Sequence, residues 1–232
     1  MVKLLIIIPA YNEEHNIERV ANSLHHRLEN CDILVINDGS TDSTEQIARK
    51  IPHLKLVNLK INLGIGGAVQ TGFKFAKKYD YDIAVQFDGD GQHNSEEIAK
   101  LIDPIISQGV DMVIGSRFID NKGFQSTFAR RVGIFIFEIL NTILVGQRIS
   151  DSTSGFRAYS KRAIDYLADN YPQDYPEPEN VIIMAKKGFK IREIPVVMNK
   201  REGGKSSIYG LRSVYYMIKV ILSILITSLR KN

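Results

Sequence analysis

Cysteine is almost absent. Cys31 is the single thiol in 232 residues, which excludes an internal disulfide framework and a cysteine-ligated zinc site and suits a reducing compartment. Cys31 itself reads as a small core residue. Long apolar runs are missing as well. A membrane-spanning helix needs roughly 18 to 20 consecutive apolar residues, and the best stretch, Val220 to Leu229, is shorter and lies between Lys219 and Arg230. The first run, Leu4 to Ile8, is too short for the apolar region of a secretory signal and is closed by Pro9, so the fold is expected to begin at that strand. Proline and glycine are dispersed, seven and seventeen in all, which excludes a fibrous or low-complexity chain. With 44% hydrophobic and 24% charged residues, the composition is globular, and the length suits one large domain that buries most of its apolar surface.

Acidic residues are scarce at the C-terminal end. From Lys200 onward, seven Lys and Arg face Glu202 alone, a local balance of +6. The formal net charge is +4, so the remainder of the chain carries −2. A mildly acidic body with a basic, apolar tail points to a membrane surface or a phosphorylated ligand and away from nucleic acid.

Leu4 to Ile8 reads as a parallel strand buried on both faces, and Asn16 to Leu28 has helical spacing. The same order recurs: Ile33 to Ile36 precedes a helix from about Ser43, and Ile83 to Phe87 precedes a helix over Glu96 to Ile106. Met112 to Ile114 adds a strand. This alternation predicts a doubly wound α/β sheet with its ligand site beyond the carboxyl ends of the strands, where Tyr11 to Glu13, Asn37 to Asp42 and Asp88 to His93 all fall. Further on, Ser150 to Arg157 is expected to be a loop, Ala163 to Leu167 a helix, Tyr171 to Pro178 a loop, Val181 to Lys187 a helix and Ile191 to Met198 extended. One domain over 1–207, followed by an amphipathic helix over 208–232, is the economical division.

Asp88-Gly89-Asp90-Gly91-Gln92 follows an apolar strand and gathers two carboxylates and an amide oxygen within one turn. Oxygen ligands suit Mg²⁺ or Mn²⁺, which in enzymes share their shell with substrate phosphates; an ordinary Asp-Gly turn is the plain alternative. Asp38, also at a strand end, can accept from a nucleobase or ribose, although much of Asn37 to Asp42 can serve helix capping. The glycines Gly64, Gly66 and Gly67 open a helix and admit either a phosphate or close packing. Val69 breaks the dinucleotide fingerprint there.

In this order, Pro9-Ala-Tyr11-Asn12-Glu13, Asn37-Asp38-Gly39-Ser40, Asp88-Gly-Asp90-Gly-Gln92-His93 and Ser116-Arg117-Phe118 resemble the family 2 glycosyltransferases. Asp151-Ser-Thr-Ser-Gly155-Phe156-Arg157 and Arg201-Glu-Gly-Gly-Lys205-Ser206-Ser207 resemble the branch of dolichyl-phosphate mannosyltransferases and bacterial polyprenyl-phosphate glycosyltransferases. The resemblance implies a GT-A fold, a mixed and mostly parallel sheet flanked by helices. It also implies a nucleotide-sugar donor and a Mg²⁺ or Mn²⁺ cofactor. It assigns Pro9, Tyr11, Glu13 and Asp38 to the nucleoside, and Asp88, Asp90 and Gln92 to the metal and diphosphate; with Gly64, Gly67 and Gly89 beside them, these and Asp88 are the residues expected to receive the nucleotide-sugar. Where many relatives carry the general base, this chain has Tyr175-Pro-Glu177-Pro-Glu179.

A saccharide hydroxyl must lose a proton before it attacks, whereas a polyprenyl phosphate arrives as an anion and needs only to be bound and oriented. Arg117, Arg130, Arg131, Arg157, Arg201, Lys205 and Ser206 are the residues expected to hold that phosphate, with Asp90, Arg117 and Arg131 nearest the chemistry. The expected activity is therefore an inverting, metal-dependent sugar transfer to a lipid phosphate, performed by a peripheral enzyme at the cytoplasmic face of the cell membrane. Attachment would come through the terminal helix, completed by a small membrane-spanning partner; a homo-oligomer is the other partner the reading admits. Two alternatives stay open: transfer to a saccharide hydroxyl with Glu177 or Glu179 as base, and a non-catalytic sugar-nucleotide-binding or assembly protein.

Overall fold

Isoleucine, leucine and valine dominate the central strands, and the two faces of the sheet divide them by parity. The computed structural model describes residues 2–28, 30–120, 138–139, 142–144, 146–199, 219, 222–223 and 226. Its strands are β1 (Leu4–Ala10), β2 (Cys31–Asn37), β3 (Leu54–Asn58), β4 (Ile83–Gln86), β5 (Met112–Ser116), β6 (Arg157–Ser160) and β7 (Ile191–Pro195). The helices are α1 (Ile17–Arg27), α2 (Thr44–Lys50), α3 (Gly64–Lys78), α4 (Ile98–Gln108), α5 (Lys161–Asn170) and α6 (Pro176–Lys186), with a 3-10 turn over Ser95–Glu97. Leu5, Ile7, Leu34 and Ile36 pack with α3, α5 and α6 on one side. Ile6, Ile8, Ile33 and Val35 pack with α1 and α4 on the other. A period of two on the strands meeting a period of 3.6 on the helices thus builds a three-layer sandwich.

The strand order is β3-β2-β1-β4-β6-β5-β7. β6 is antiparallel to both its neighbours, and every other pairing is parallel. From β1 the chain winds outward through β2 to β3, then returns across the sheet by α3 to enter β4 on the other side of β1. That reversal opens a crevice beyond the carboxyl ends of β1 and β4, the expected ligand position in such sheets.

Several expectations need correction. Pro9 does not end β1, which continues to Ala10. Phe87 N donates to Ile7 O, so the odd residues of β1 turn their main-chain groups towards β4, and that pairing stops at Ile7. The missing donor of Pro9 therefore leaves nothing unpaired. Arg157 opens β6 instead of closing a loop, and β3 is a strand that the sequence pattern does not announce. The segment read as a loop up to Pro178 is in part the first turn of α6, with Pro176 at its first position. First-turn N–H groups have no partner within a helix, so proline fits there. Cys31 is half-buried at the start of β2 and is not a core residue. The segment 208–232 lies outside the described residues apart from Lys219, Leu222, Ser223 and Ile226, which are helical.

Candidate active site at the carboxyl ends of β1, β2 and β4

The loops after β1 and β2 are tied together by side chain to backbone hydrogen bonds. Asn12 N donates to Ser40 Oγ at 3.0 Å, Thr41 N donates to Asn12 Oδ1 at 2.9 Å, and Glu13 N donates to Thr44 Oγ1 at 2.8 Å. Asn12 adopts a positive φ of 56°, which asparagine tolerates better than most residues. Tyr11 stands half exposed at this rim, and the Glu13 carboxylate accepts from Asn16 Nδ2. Asp38 is buried and its Oδ1 accepts from Leu63 N at 2.7 Å, so it also fixes the entry to α3. Gly39 is obligatory: at φ +66° a Cβ would lie 2.8 Å from the Asn62 nitrogen.

The glycines of α3 divide by role. Gly64, at φ +77°, faces open space at the helix entry. A Cβ on Gly66 would strike the Gln173 carbonyl oxygen at 2.5 Å, and one on Gly67 would strike Leu63 Cβ at 2.5 Å. Gly67, expected at the donor, is thus explained by close packing.

Asp88 and Asp90 stand at the end of β4, beside β1. Gly89 lies against the Pro9 carbonyl and Glu13 Cγ, so the two strand ends meet. Asp90 Oδ1 accepts from Gln92 N at 3.0 Å, which curls the turn. The Asp88 side chain is 35% exposed on its crevice side. Burial on its other sides, then the neighbouring charge of Asp90, pushes its carboxyl up to about 7; Arg117 opposes the shift and Glu13 adds to it. Asp88 N donates to His93 Nδ1 at 3.0 Å, and His93 Nε2 lies 3.4 Å from Asp88 Oδ2. His93 is stacked on Phe156 with centroids 4.6 Å apart, and burial holds it neutral by lowering its pKa to about 4. No group of three or more His, Cys, Asp or Glu able to cage a metal occurs among the described residues. Two carboxylates and the Gln92 amide, crowded into mutual repulsion, nevertheless fit a hard cation that completes its shell from a diphosphate.

Arg117 is corrected in part: its Nε and Nη2, expected to face an acceptor phosphate, are engaged within the fold, while the guanidinium stays within electrostatic reach of Asp88. It is buried and forks onto Asp151, Nε to Oδ2 and Nη2 to Oδ1, both at 2.7 Å, with a further bond to Thr153 Oγ1. Arg157 is likewise corrected: it is fully buried and donates to the carbonyls of Ser154 and Ser152 at 2.7 Å each. Its Nη1 and the Nε2 of its cross-strand neighbour Gln86 have no hydrogen-bond partner among the described residues. Glu177 is part-buried at the start of α6, and burial raises its pKa. Arg157 opposes that rise and Asp88 adds to it, so α6 brings Glu177 within electrostatic reach of the aspartates. Glu179 accepts from Ser223 Oγ at 2.6 Å. Arg130, Arg131, Arg201, Lys205 and Ser206 lie outside the described residues. Sequence reasoning missed Gln86, Asp151 and Glu193 as site-building residues. Asp151 opens the motif that ends at Arg157, whereas Glu193 lies on a strand with no local signal.

Residues 5–167 match the family model for glycosyl transferase family 2. The fold, the switch-point crevice and this match define a GT-A glycosyltransferase. The chain belongs to glycosyltransferase family 2. It is 36% identical over 213 residues to a UDP-N-acetylglucosamine–dolichyl-phosphate N-acetylglucosaminyltransferase of Methanococcus voltae, covering 83% of this chain and 84% of the relative. It is 30% identical over 229 residues to a polyprenol monophosphomannose synthase of Mycolicibacterium smegmatis, covering 94% and 85%. Among solved structures, glucosyl-3-phosphoglycerate synthase from Mycobacterium tuberculosis, in complex with Mn²⁺, uridine diphosphate and phosphoglyceric acid, superposes with a TM-score of 0.74 at 21% identity. That match covers 100% of this chain and 80% of the other.

Proposed function

We propose that this glycosyltransferase moves a sugar from a nucleotide-sugar to a polyprenyl phosphate, with inversion at the anomeric carbon. The carboxylate pair Asp88 and Asp90 at the switch point, in a chain whose relatives are named for a dolichyl-phosphate sugar transfer and a polyprenol monophosphomannose synthesis, is the observation that carries this reading. Asp88, Asp90 and Gln92 would hold Mg²⁺ or Mn²⁺, which when bound neutralises charge building on the leaving diphosphate. The rim of Pro9, Tyr11, Glu13 and Asp38 would receive the nucleoside, with Gly64 and Gly89 beside it. An oxygen of the lipid phosphate forms a bond to the anomeric carbon as the bond to the donor diphosphate breaks. The nucleoside diphosphate departs with the electron pair, and no proton has to be removed. Arg130, Arg131, Arg201, Lys205 and Ser206 are the acceptor-phosphate residues of this proposal; Arg117 and Arg157 act behind the site.

Peripheral attachment at the inner membrane face follows from the acceptor. No helix among the described residues is long and apolar enough to cross a membrane. Leu222 and Ile226 are more than half exposed on the same helical face as Lys219, a pattern suited to an interface.

A saccharide hydroxyl acceptor is the second reading, favoured by the raised pKa of Glu177 beside the crevice. One assay separates them. Purified protein is given a panel of labelled nucleotide-sugars, undecaprenyl phosphate and Mn²⁺, and label is scored in the organic phase. Mild-acid-labile label there supports the proposal, and Asp90→Ala should abolish it. Acid-stable glycan as the only product overturns the lipid acceptor.

A further inference from the structure

Gly155 touches the candidate cation site from a part of the chain remote in sequence. A Cβ on it would lie 2.9 and 3.0 Å from the two Asp88 carboxylate oxygens and 3.2 Å from Gln86 Nε2. Its φ is not positive, so backbone conformation does not call for glycine here. The missing side chain is itself what the position requires. The next residue, Phe156, is fully buried and forms the flat surface on which His93 stacks, and His93 in turn receives the Asp88 N–H. One short loop therefore meets Asp88 on two sides, at its carboxylate and at the imidazole that holds its backbone.

The loop is anchored well beyond what a connection between β5 and β6 needs. Arg117 grips Asp151 with two charge-assisted bonds. Glu193 accepts from Ser150 N at 2.8 Å and Asp151 N at 2.7 Å, and Arg157 clasps the carbonyls of Ser152 and Ser154 from beneath. Asp151, Ser152, Ser154 and Phe156 are all at most 1% exposed. Groups that do not ligate a metal but fix the orientation of those that do commonly change metal affinity about 10- to 100-fold when altered.

We infer that the loop 151–156, clasped by Arg157 at the start of β6, is a positioning element for the cation site, and that Gly155 and Phe156 are the residues through which it sets Asp88. The inference rests on the proposed binding of Mg²⁺ or Mn²⁺ at Asp88 and Asp90. It makes Gly155 a determinant of metal affinity although it offers no ligand atom.

The test is a titration of the full chain with Mn²⁺ alone, followed by the EPR signal of the free ion, beside a thermal melt without metal. In Gly155→Ala the group that must yield is the end of the Asp88 side chain, so the melting temperature should stay close to wild type. The Mn²⁺ dissociation constant should rise about tenfold. Phe156→Leu, which removes the ring beneath His93 and leaves Gly155 against Asp88, should weaken Mn²⁺ in the same direction by a few-fold, and it carries the test if Gly155→Ala folds poorly. Asp90→Ala reports the metal site itself. Loss of uptake in Asp90→Ala with unchanged uptake in the folded loop variants overturns the positioning role alone. Absence of Mn²⁺ uptake by the wild type overturns the metal site and the inference together.

Discussion

Arg117 and Asp151 lie 34 positions apart in the chain, and each is almost fully withdrawn from water. A buried pair of this kind contributes little relative to apolar replacements, but breaking it strands one charge and costs about 3–5 kcal/mol. Asp151→Asn should therefore lower the urea-unfolding free energy by about that amount. The double change Arg117→Met with Asp151→Leu should recover most of the loss. If Arg117 instead served an acceptor phosphate as its main task, Asp151→Asn would release the guanidinium and leave stability within about 0.5 kcal/mol of wild type, an ordinary surface effect. Cys31 offers a second residue-scale test. Burial first, and then the charge of Asp32, pushes its thiol up to about 11. The thiolate is the reactive form, so alkylation by iodoacetamide should be slow at pH 7 and its rate should keep climbing tenfold per pH unit up to pH 10. A rate that levels off near pH 9 would show an ordinary, water-exposed thiol.

Elements were legible in the sequence where burial on both faces is matched by an uninterrupted apolar run. β1, β2, β4 and β5 are continuous apolar runs because helices cover them above and below. β3 is an edge strand, only partly buried and interrupted by Lys55, so it carries no such run. β6 has four residues and begins with an arginine whose burial depends on carbonyls that only the folded loop brings near. The acidic first turn of α6 reads as a loop because two prolines within three residues argue against a helix interior, whereas the first turn accepts them. The site shows the same division. Asp88, Asp90 and Asp38 could be placed at strand ends from local pattern, whereas the true partners of Arg117 and Arg157 are set by long-range contacts that no local spacing records. The packing of α3 on the segment after α5 yields a prediction at this scale. Gly66→Ala would drive a methyl group into the backbone of Pro172 and Gln173, where neither neighbour can rotate away. Chemical denaturation should show a loss of about 1–3 kcal/mol, the usual cost of overpacking. Gly109→Ala, in open space at a φ of +63°, pays only for its left-handed backbone and should lose less.

For the whole molecule, the pH dependence of stability is a contest between groups shifted in opposite directions. Burial raises the carboxyls of Glu177 and Glu193, so the folded state binds more protons there than the unfolded chain, and these groups favour the fold less as pH rises above about 4.3. His53 acts in the other sense. Its ring stacks on His25 with centroids 3.9 Å apart and an interplanar angle of 14°. Burial first, then the neighbouring His25 and His26, lowers its pKa, against a hydrogen bond to the Ala21 backbone. The unfolded chain therefore takes up protons more readily than the folded one as pH falls below about 6.5, and stability from this group is lost from there down through its folded value. Because His53 joins the turn before β3 to α1, that loss acts on the packing of the helical layer that also carries Glu13 and Asn16. His53→Gln removes the titration and keeps a polar side chain. Urea unfolding at pH 7.5 and pH 5.5 should show that, on going to the lower pH, the unfolding free energy of His53→Gln shifts in the direction of greater stability relative to the shift seen in the wild type. An equal difference in both proteins would mean that the stacked pair contributes nothing to the acid sensitivity of the fold.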